Sequence, residues 1–273
     1  MLPERRSGTM IVRTDAVVLR AFDYGETSQI VTLLTRQHGV IGVMAKGARR
    51  PSSRFGSTLQ PTSYIQAVYY YRAGRGLQTL TETTHLARFS RLRSDLNRIT
   101  LGLRAIEVTR LALDEGEAHP LALEALARTL TFLDASDDNA GNALLWFQLR
   151  MAGLLGFSPD IQRDDVLALG DGGRLVLNSG AILTSEPPPG VSIGHSLPAS
   201  RAALRAFAIL ARTDLETAGR MKLAPEVRSD VQGLVDAYLR THAESVFPER
   251  VQTVSDQVAA GLAAARQTKP TPP

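Results

Sequence analysis

Residues 43–61, VMAKGARRPSSRFGSTLQP, bring Lys46, Arg49, Arg50 and Arg54 into one loop punctuated by glycine and proline, with no Asp or Glu among them. Phosphate groups call for such cations, free to approach without competing carboxylates. Gly47 and Gly56 allow close backbone approach, and Ser52, Ser53 and Ser57 can donate neutral hydrogen bonds to phosphate oxygens. Arg72 and Arg75 follow the run YYY at 69–71, and aromatic rings on a strand face can stack unpaired bases. Strand alternation puts Tyr69 and Tyr71 on one face and Tyr70 on the other, without saying which face turns inward. Each feature has a plainer counterpart: a solvated loop that only keeps the protein dispersed, and tyrosines that bridge a core and its rim.

The charge pattern favours the phosphate reading. Between Glu26 and Glu82 there is no acidic residue, yet seven basic ones occur, namely Arg36, Lys46, Arg49, Arg50, Arg54, Arg72 and Arg75. Residues 1–110 hold 17 Lys+Arg against 7 Asp+Glu, and the remainder holds 14 against 20, so the net +4 divides into +10 and −6. The amino-terminal part is suited to a polyanion.

Enzyme signatures are missing. GVIGVMAKG lacks the G-x-x-x-x-G-K-[ST] spacing, and neither G-x-S-x-G nor H-E-x-x-H occurs. His38, His85, His119, His195 and His242 are scattered singly and read as structural, while Asp137-Asp138 and Asp164-Asp165 suit helix starts. The acid-free stretch offers no carboxylate cluster for two-metal nuclease chemistry. The expectation is a non-enzyme with no catalytic residue and no cofactor. The absence of cysteine excludes disulfides and thiolate zinc sites and fits a reducing cytoplasm. No apolar run reaches the roughly 20 residues that cross a bilayer, so no membrane partner is expected. The start, MLPERRSGTMIVR, lacks the apolar core of a secretory signal, and Met10 is an alternative initiator to Met1.

The elements that must position the cations are short strands from Val12 to about Thr84. Ala16 to Leu19 form a buried run; Ile30 to Leu34 follow, closed by His38-Gly39; VIGVMAKG is a third strand whose Gly42 predicts a bulge or a bend. SYIQAVYYYR and LQTLTETT, joined by the AGRG turn, make the fourth and fifth. Five such strands predict a small closed barrel of the OB type. From His85 the period is helical, with stripes at Ile99, Leu103, Ile106 and Leu113, at Leu123, Leu126, Leu130 and Leu133, and at Leu144, Phe147, Met151 and Leu154. Residues 159–197 read as a β-rich insertion. Helix returns with ASRAALRAFAILA and the Val227, Val231, Leu234, Tyr238 stripe, then an amphipathic piece at 251–265. The fold class is therefore α+β: an OB-fold barrel at 1–84, a helical domain at 85–158 and 198–265 split by the insertion, and a disordered tail at 266–273.

The stretches AVVLRAFDYGETSQIVTLLTRQHGVIGVMAKGARRPSSRFGSTLQP and YYYRAGRGLQTLTE resemble the amino-terminal domain of the bacterial RecO recombination-mediator family. The likeness continues through WFQLRMAGLLGFSPDI and VRSDVQGLVDAYLRTHAESVF, and so spans most of the chain. The resemblance implies a DNA repair protein that binds single- and double-stranded DNA and anneals complementary strands. It also implies contact with the tail of the single-strand-binding protein and, with a RecR partner, help in loading RecA. The family's basic loop falls on Lys46, Arg49, Arg50 and Arg54, and Arg88, Arg91 and Arg93 could extend the track. A tail receptor would be an apolar groove flanked by arginines, for which Arg128 and Arg150 are candidates. The implied location is cytoplasmic and nucleoid-associated. Many members carry a zinc-binding insertion with paired C-x-x-C ligands. Here Asp164, Leu167, Thr184 and Pro187 stand at those places, so the insertion is expected to be a degenerate, metal-free version. Strand pairing and apolar contacts of Leu167, Leu169, Leu175, Val176, Leu177, Ile182 and Leu183 would hold it. A different reading of the same barrel is a protein-interaction adaptor whose cations dock an acidic partner rather than DNA.

Overall fold

The computed structural model describes residues 8–137, 139–185 and 194–242. The stretches expected at 251–265 and 266–273, Pro187 and the Met1 start lie outside the described residues.

Five strands, β1 (Met10–Tyr24), β2 (Ser28–Thr35), β3 (Gly39–Ala45), β4 (Tyr64–Tyr71) and β5 (Leu77–Ala87), close a barrel in the ring order β1-β2-β3-β5-β4. Every seam is antiparallel except β3 on β5, which is parallel over Gly42↔Leu77 to Ala45↔Leu80. Alternation fills the barrel from each strand: Val12, Ala16 and Val18 of β1 meet Val31 and Leu33 of β2, Ile41 and Val43 of β3, and Tyr69 of β4.

The strand β1 is apolar on both faces between Ala16 and Leu19 because it is buried on both. Val17 and Leu19 are as buried as their inward neighbours but lie outside the interior cluster. On the outside of the barrel, helix α3 (Pro120–Ala135) packs on β1 and β2. Each such aliphatic side chain withdrawn from water stabilises by roughly 1.5–3 kcal/mol. The α3 stripe read from sequence, Leu123, Leu126, Leu130 and Leu133, is wholly buried. Helix α3 and the short α1 (Ser90–Ser94) thus belong to the barrel's compact unit, which comprises Met1–Ser94 and Ala112–Ala135. The division differs from the boundary drawn at residue 84, because the barrel's last strand runs to Ala87 and its cover helix comes later in the chain.

Two further details correct the sequence reading. The strand β3 pairs with β2 through Gly42 with no register shift. Breaks lie instead in β1, where the register against β2 jumps between Val18 and Arg20 and leaves Leu19 as the extra residue, and in β5, whose register against β4 shifts opposite Tyr64/Ile65 and Val68/Tyr69.

The second unit comprises Asp95–Leu111 and Ser136–Pro273. Its described helices are α2 (Leu96–Ala112), α4 (Ala140–Leu154), α5 (Arg163–Leu167), α6 (Arg201–Arg212), α7 (Leu215–Arg220) and α8 (Pro225–His242). Leu144, Phe147 and Met151 of α4, Phe207 of α6, and Val231 and Tyr238 of α8 are buried, as the stripes require. In α2 the inward face is Ala105, Ile106 and Val108, and Leu103 is turned to solvent, against the expected stripe. The insertion is a three-stranded sheet, β6 (Gly172–Val176) flanked by β7 (Ile182–Thr184) and β8 (Ser196–Ser200). Ser200 ends β8 and caps α6 by accepting from the Ala203 N–H. Leu169, Leu175, Leu177 and Ile182 supply the apolar contacts, but Leu167 is 59% exposed and takes no part. Leu167 has no donor atom, and among the described residues no group of three His, Cys, Asp or Glu could hold a metal. The residues present do not fit zinc.

Gly39 is where the barrel meets the segment leading to α3. Its φ is +57°, and a Cβ there would lie 1.6 Å from the Glu117 carbonyl oxygen. The segment is stapled on by the Val40–Glu115 bridge and by the Gly116 N–H donating to the Val40 carbonyl at 3.0 Å. Gly39→Ala should therefore lower the stability of the barrel unit by about 2 kcal/mol or more, read as a fall in the denaturation midpoint. In the second unit, burial raises the Asp236 carboxyl above its usual range, against the pull of Arg104, Gln232, Gln148 and Arg240. The folded state therefore favours its protonated form, and stability falls as pH rises from the ordinary carboxylate range through the raised value. Asp236→Asn should raise the melting temperature at pH 7 and give no gain near pH 3.

Candidate nucleic-acid interface

The loop that follows β3 is anchored at both ends, and the anchors decide which cations stay free. At its start the Arg49 N–H donates to the Thr27 carbonyl at 2.9 Å. The Arg49 guanidinium donates to the carbonyls of Gly25 and Glu26 at 3.3 Å each, and its Nε lies 3.1 Å from the Asp23 carboxylate. Arg49 is thus a strap between the basic loop and the β1–β2 turn. This corrects the expectation that no carboxylate answers the loop: Asp23 lies just upstream of the acid-free stretch and folds back to it. Arg36 is similarly placed 3.8 Å from Asp15. Further along, Phe55 and Leu59 are buried in the barrel interior, with Leu59 ending the short 3-10 turn Gly56–Leu59.

Between these anchors Lys46, Arg50 and Arg54 are exposed, and among the described residues none has a carboxylate within ion-pair distance. Arg54 lies 5.3 Å from the centroid of the Phe55 ring, which orients it without neutralising it.

Arg72 and Arg75 stand exposed on the β4–β5 turn, again with no carboxylate partner among the described residues. Their backbone is held from within by Gln78, which is buried. Its Oε1 accepts from the Arg72 N–H at 2.9 Å, and its Nε2 donates to the carbonyls of Arg72 and Arg75 at 3.2 and 2.6 Å. One buried amide therefore fixes both cationic residues. The sequence held no signal for this role beyond a polar residue on the inward phase of β5.

The tyrosine run resolves in favour of the core. Tyr69 is buried, and Tyr71 is half-buried and stacked on His38 at 3.8 Å between ring centroids. The Tyr69 hydroxyl and His38 Nδ1 share a hydrogen bond of 2.7 Å. Burial pushes the Tyr69 phenol up to about 12 and the His38 imidazole down, so both are neutral at physiological pH. Tyr70 alone of the three points outward. Of the three arginines considered as an extension, Arg91 donates to the Ala135 carbonyl and Arg93 to the Ser63 hydroxyl, so both tie α1 to its surroundings. Arg88 remains exposed. Arg128 lies on α3 in the barrel unit and Arg150 on α4 in the other unit.

A barrel with an acid-poor cationic rim, followed in the chain by a helical unit with a small sheet, defines a mixed α+β protein. Family models described as "Recombination protein O N terminal" and "Recombination protein O C terminal" match residues 10–89 and 93–250. The chain is 45% identical over 249 residues to the DNA repair protein RecO of Salinibacter ruber, covering 91% of this chain and 94% of that one. It is 28% identical to the RecO of Bacillus pumilus over 84% of this chain and 88% of that one, and 27% identical to that of Bacillus subtilis over 86% and 90%. The chain belongs to the RecO family of DNA repair and recombination proteins. Among the described residues no helix is long and apolar enough to cross a membrane.

The two anchors can be tested without DNA. Gln78→Leu leaves one N–H and two carbonyls of the turn without their partner. It should destabilise the barrel by about 1–3 kcal/mol in denaturant unfolding and speed amide exchange at 72–76. Asp23→Ala removes an exposed ion pair worth about 0–1 kcal/mol, so the melting temperature should scarcely move, while proteolytic cleavage within 46–54 accelerates several-fold.

Proposed function

We propose that the chain is a non-enzymatic, DNA-binding recombination mediator whose OB-fold barrel holds sugar–phosphate backbones. On this reading it binds single- and double-stranded DNA and anneals complementary strands. With a RecR partner it helps load RecA onto strands coated by the single-strand-binding protein, whose acidic tail it contacts. The observation that carries the reading is the set of exposed, unneutralised cations Lys46, Arg50, Arg54, Arg72 and Arg75 on two anchored turns of one barrel. The antiparallel ring closed by one parallel seam is consistent with the five-stranded barrel that the OB reading requires. Arg49, spent on Asp23 and two carbonyls, contributes to DNA by positioning its neighbours more than by direct contact. Neutralising one backbone lowers its repulsion for a complementary strand, which is the physical basis of annealing.

If about five phosphates are neutralised, log affinity for a single strand should fall with log salt at a slope of roughly −3 to −4. Lys46→Ala/Arg50→Ala/Arg54→Ala should weaken binding on every sequence alike and make the slope shallower by about 2. The same variant should slow annealing of complementary oligonucleotides with and without their coating protein. A wild-type protein that fails to shift labelled oligonucleotide at low salt would favour the adaptor reading, in which the cations dock an acidic protein.

A further inference from the structure

The bulge at Leu19 reverses the phase of β1. Before it the even-numbered residues Val12, Thr14, Ala16 and Val18 turn inward; after it Arg20, Phe22 and Tyr24 turn outward, and Ala21 takes the inward place. A β1 without the extra residue would carry both rings to the opposite face. Instead Phe22 is 42% and Tyr24 55% exposed, on the outward phase of the last stretch of β1 toward Ser28.

Registers place these rings in a defined strip. Phe22 pairs with Ile30, Ile30 with Met44, and Met44 with Thr79, so Phe22, the half-buried Ile30 and Met44 form one row across β1, β2 and β3. Tyr24 pairs with Ser28 at the end of the sheet where β3 gives way to Lys46. At the other end Arg20 pairs with Thr32, Thr32 with Gly42, and Gly42 with Leu77, which brings the row up to the Arg72–Arg75 turn. Gly42 keeps the strip low there, because the Gly76 carbonyl passes 3.4 Å from where a Cβ would stand. The Arg20 guanidinium lies 5.6 Å from the Phe22 ring centroid, whereas Tyr24 has no ring partner among the described residues.

We infer that Phe22 and Tyr24, with Met44 and Ile30 as floor, are a stacking platform for unpaired nucleobases, and that this strip distinguishes single strands from duplex. The occupant follows from the surroundings. The apolar rings lie between Lys46 at one end and Arg20 with the Arg72–Arg75 turn at the other, so a chain laid across them must be apolar in its side groups and anionic in its backbone. A strip about four residues long along β3 spans roughly 13 Å, the length of a few stacked nucleotides. Paired bases keep their faces inside the duplex and can use only the cations.

This inference rests on the DNA-binding reading, and the experiment separates the two. Fluorescence anisotropy is measured with a labelled 20-mer single strand and with the corresponding duplex, for wild type, Phe22→Ala/Tyr24→Ala, Phe22→Leu/Tyr24→Leu and Tyr70→Ala. The alanine pair should bind the single strand about tenfold or more weaker, with the duplex affinity and the salt slope unchanged. The leucine pair, which keeps apolar area without a π face, should fall between and carries the test if the alanine pair unfolds. Tyr70, 43% exposed, continues the Met44–Thr79 row two strands further round the barrel, and Tyr70→Ala should weaken single-strand binding less than the Phe22/Tyr24 pair does. If wild type binds neither DNA, the DNA-binding reading itself fails. If wild type binds and the ring variants match it, weaken both forms equally, or are outdone by Tyr70→Ala, the platform is overturned while DNA binding stands.

Discussion

The barrel depends on one short parallel seam. The antiparallel pairs alone would give an open ribbon in the order β3-β2-β1-β4-β5; the pairing of β3 with β5 from Gly42↔Leu77 to Ala45↔Leu80 is what closes it. Closure removes both sheet edges, which would otherwise offer unpaired backbone to other chains. It also brings the β4–β5 turn alongside the Gly42 end of β3, opposite the end at which the basic loop leaves. Phe55, Leu59 and the Arg49 strap keep the long loop against the barrel rather than free in solvent.

Neutralisation within the cationic rim is partial and local. Asp15 and Asp23, both on β1, meet Arg36 and Arg49. Asp23 holds the loop through Arg49 and leaves its outer charges unmatched, while Asp15 faces the β2–β3 turn.

Much of this was legible in the sequence, for identifiable reasons. The strands announce themselves by β-branched runs between glycine turns, the leucine stripes of α3, α4 and α8 by their helical period, and the cationic loop by the lack of acids around it. What the sequence hid depends on register and distance. A bulge at Leu19 is a relation between β1 and β2, and nothing local to RAFDY distinguishes an inward Phe22 from an outward one. The Asp23–Arg49 pair is 26 positions apart and exists only because the β1–β2 turn lies beside the loop. Leu103 misled because its helix turns smaller residues, Ala105 and Val108, to the interior. Gln78 looked like one polar residue in a strand, and its importance lies in three backbone atoms across a turn.

The cover over β1 and β2 has a consequence for how this molecule comes into being. The outer side of β1 and β2 is covered by α3, and α3 ends at Ala135. During synthesis the ribosome must therefore release some 50 residues beyond the final barrel strand before the outside of the sheet is shielded, and until then a nascent, greasy surface is open to chaperones or to other chains. For the same reason an excised fragment stopping at the end of β5 would not be an autonomous domain, whereas one that retains the 112–135 segment has the pieces it needs.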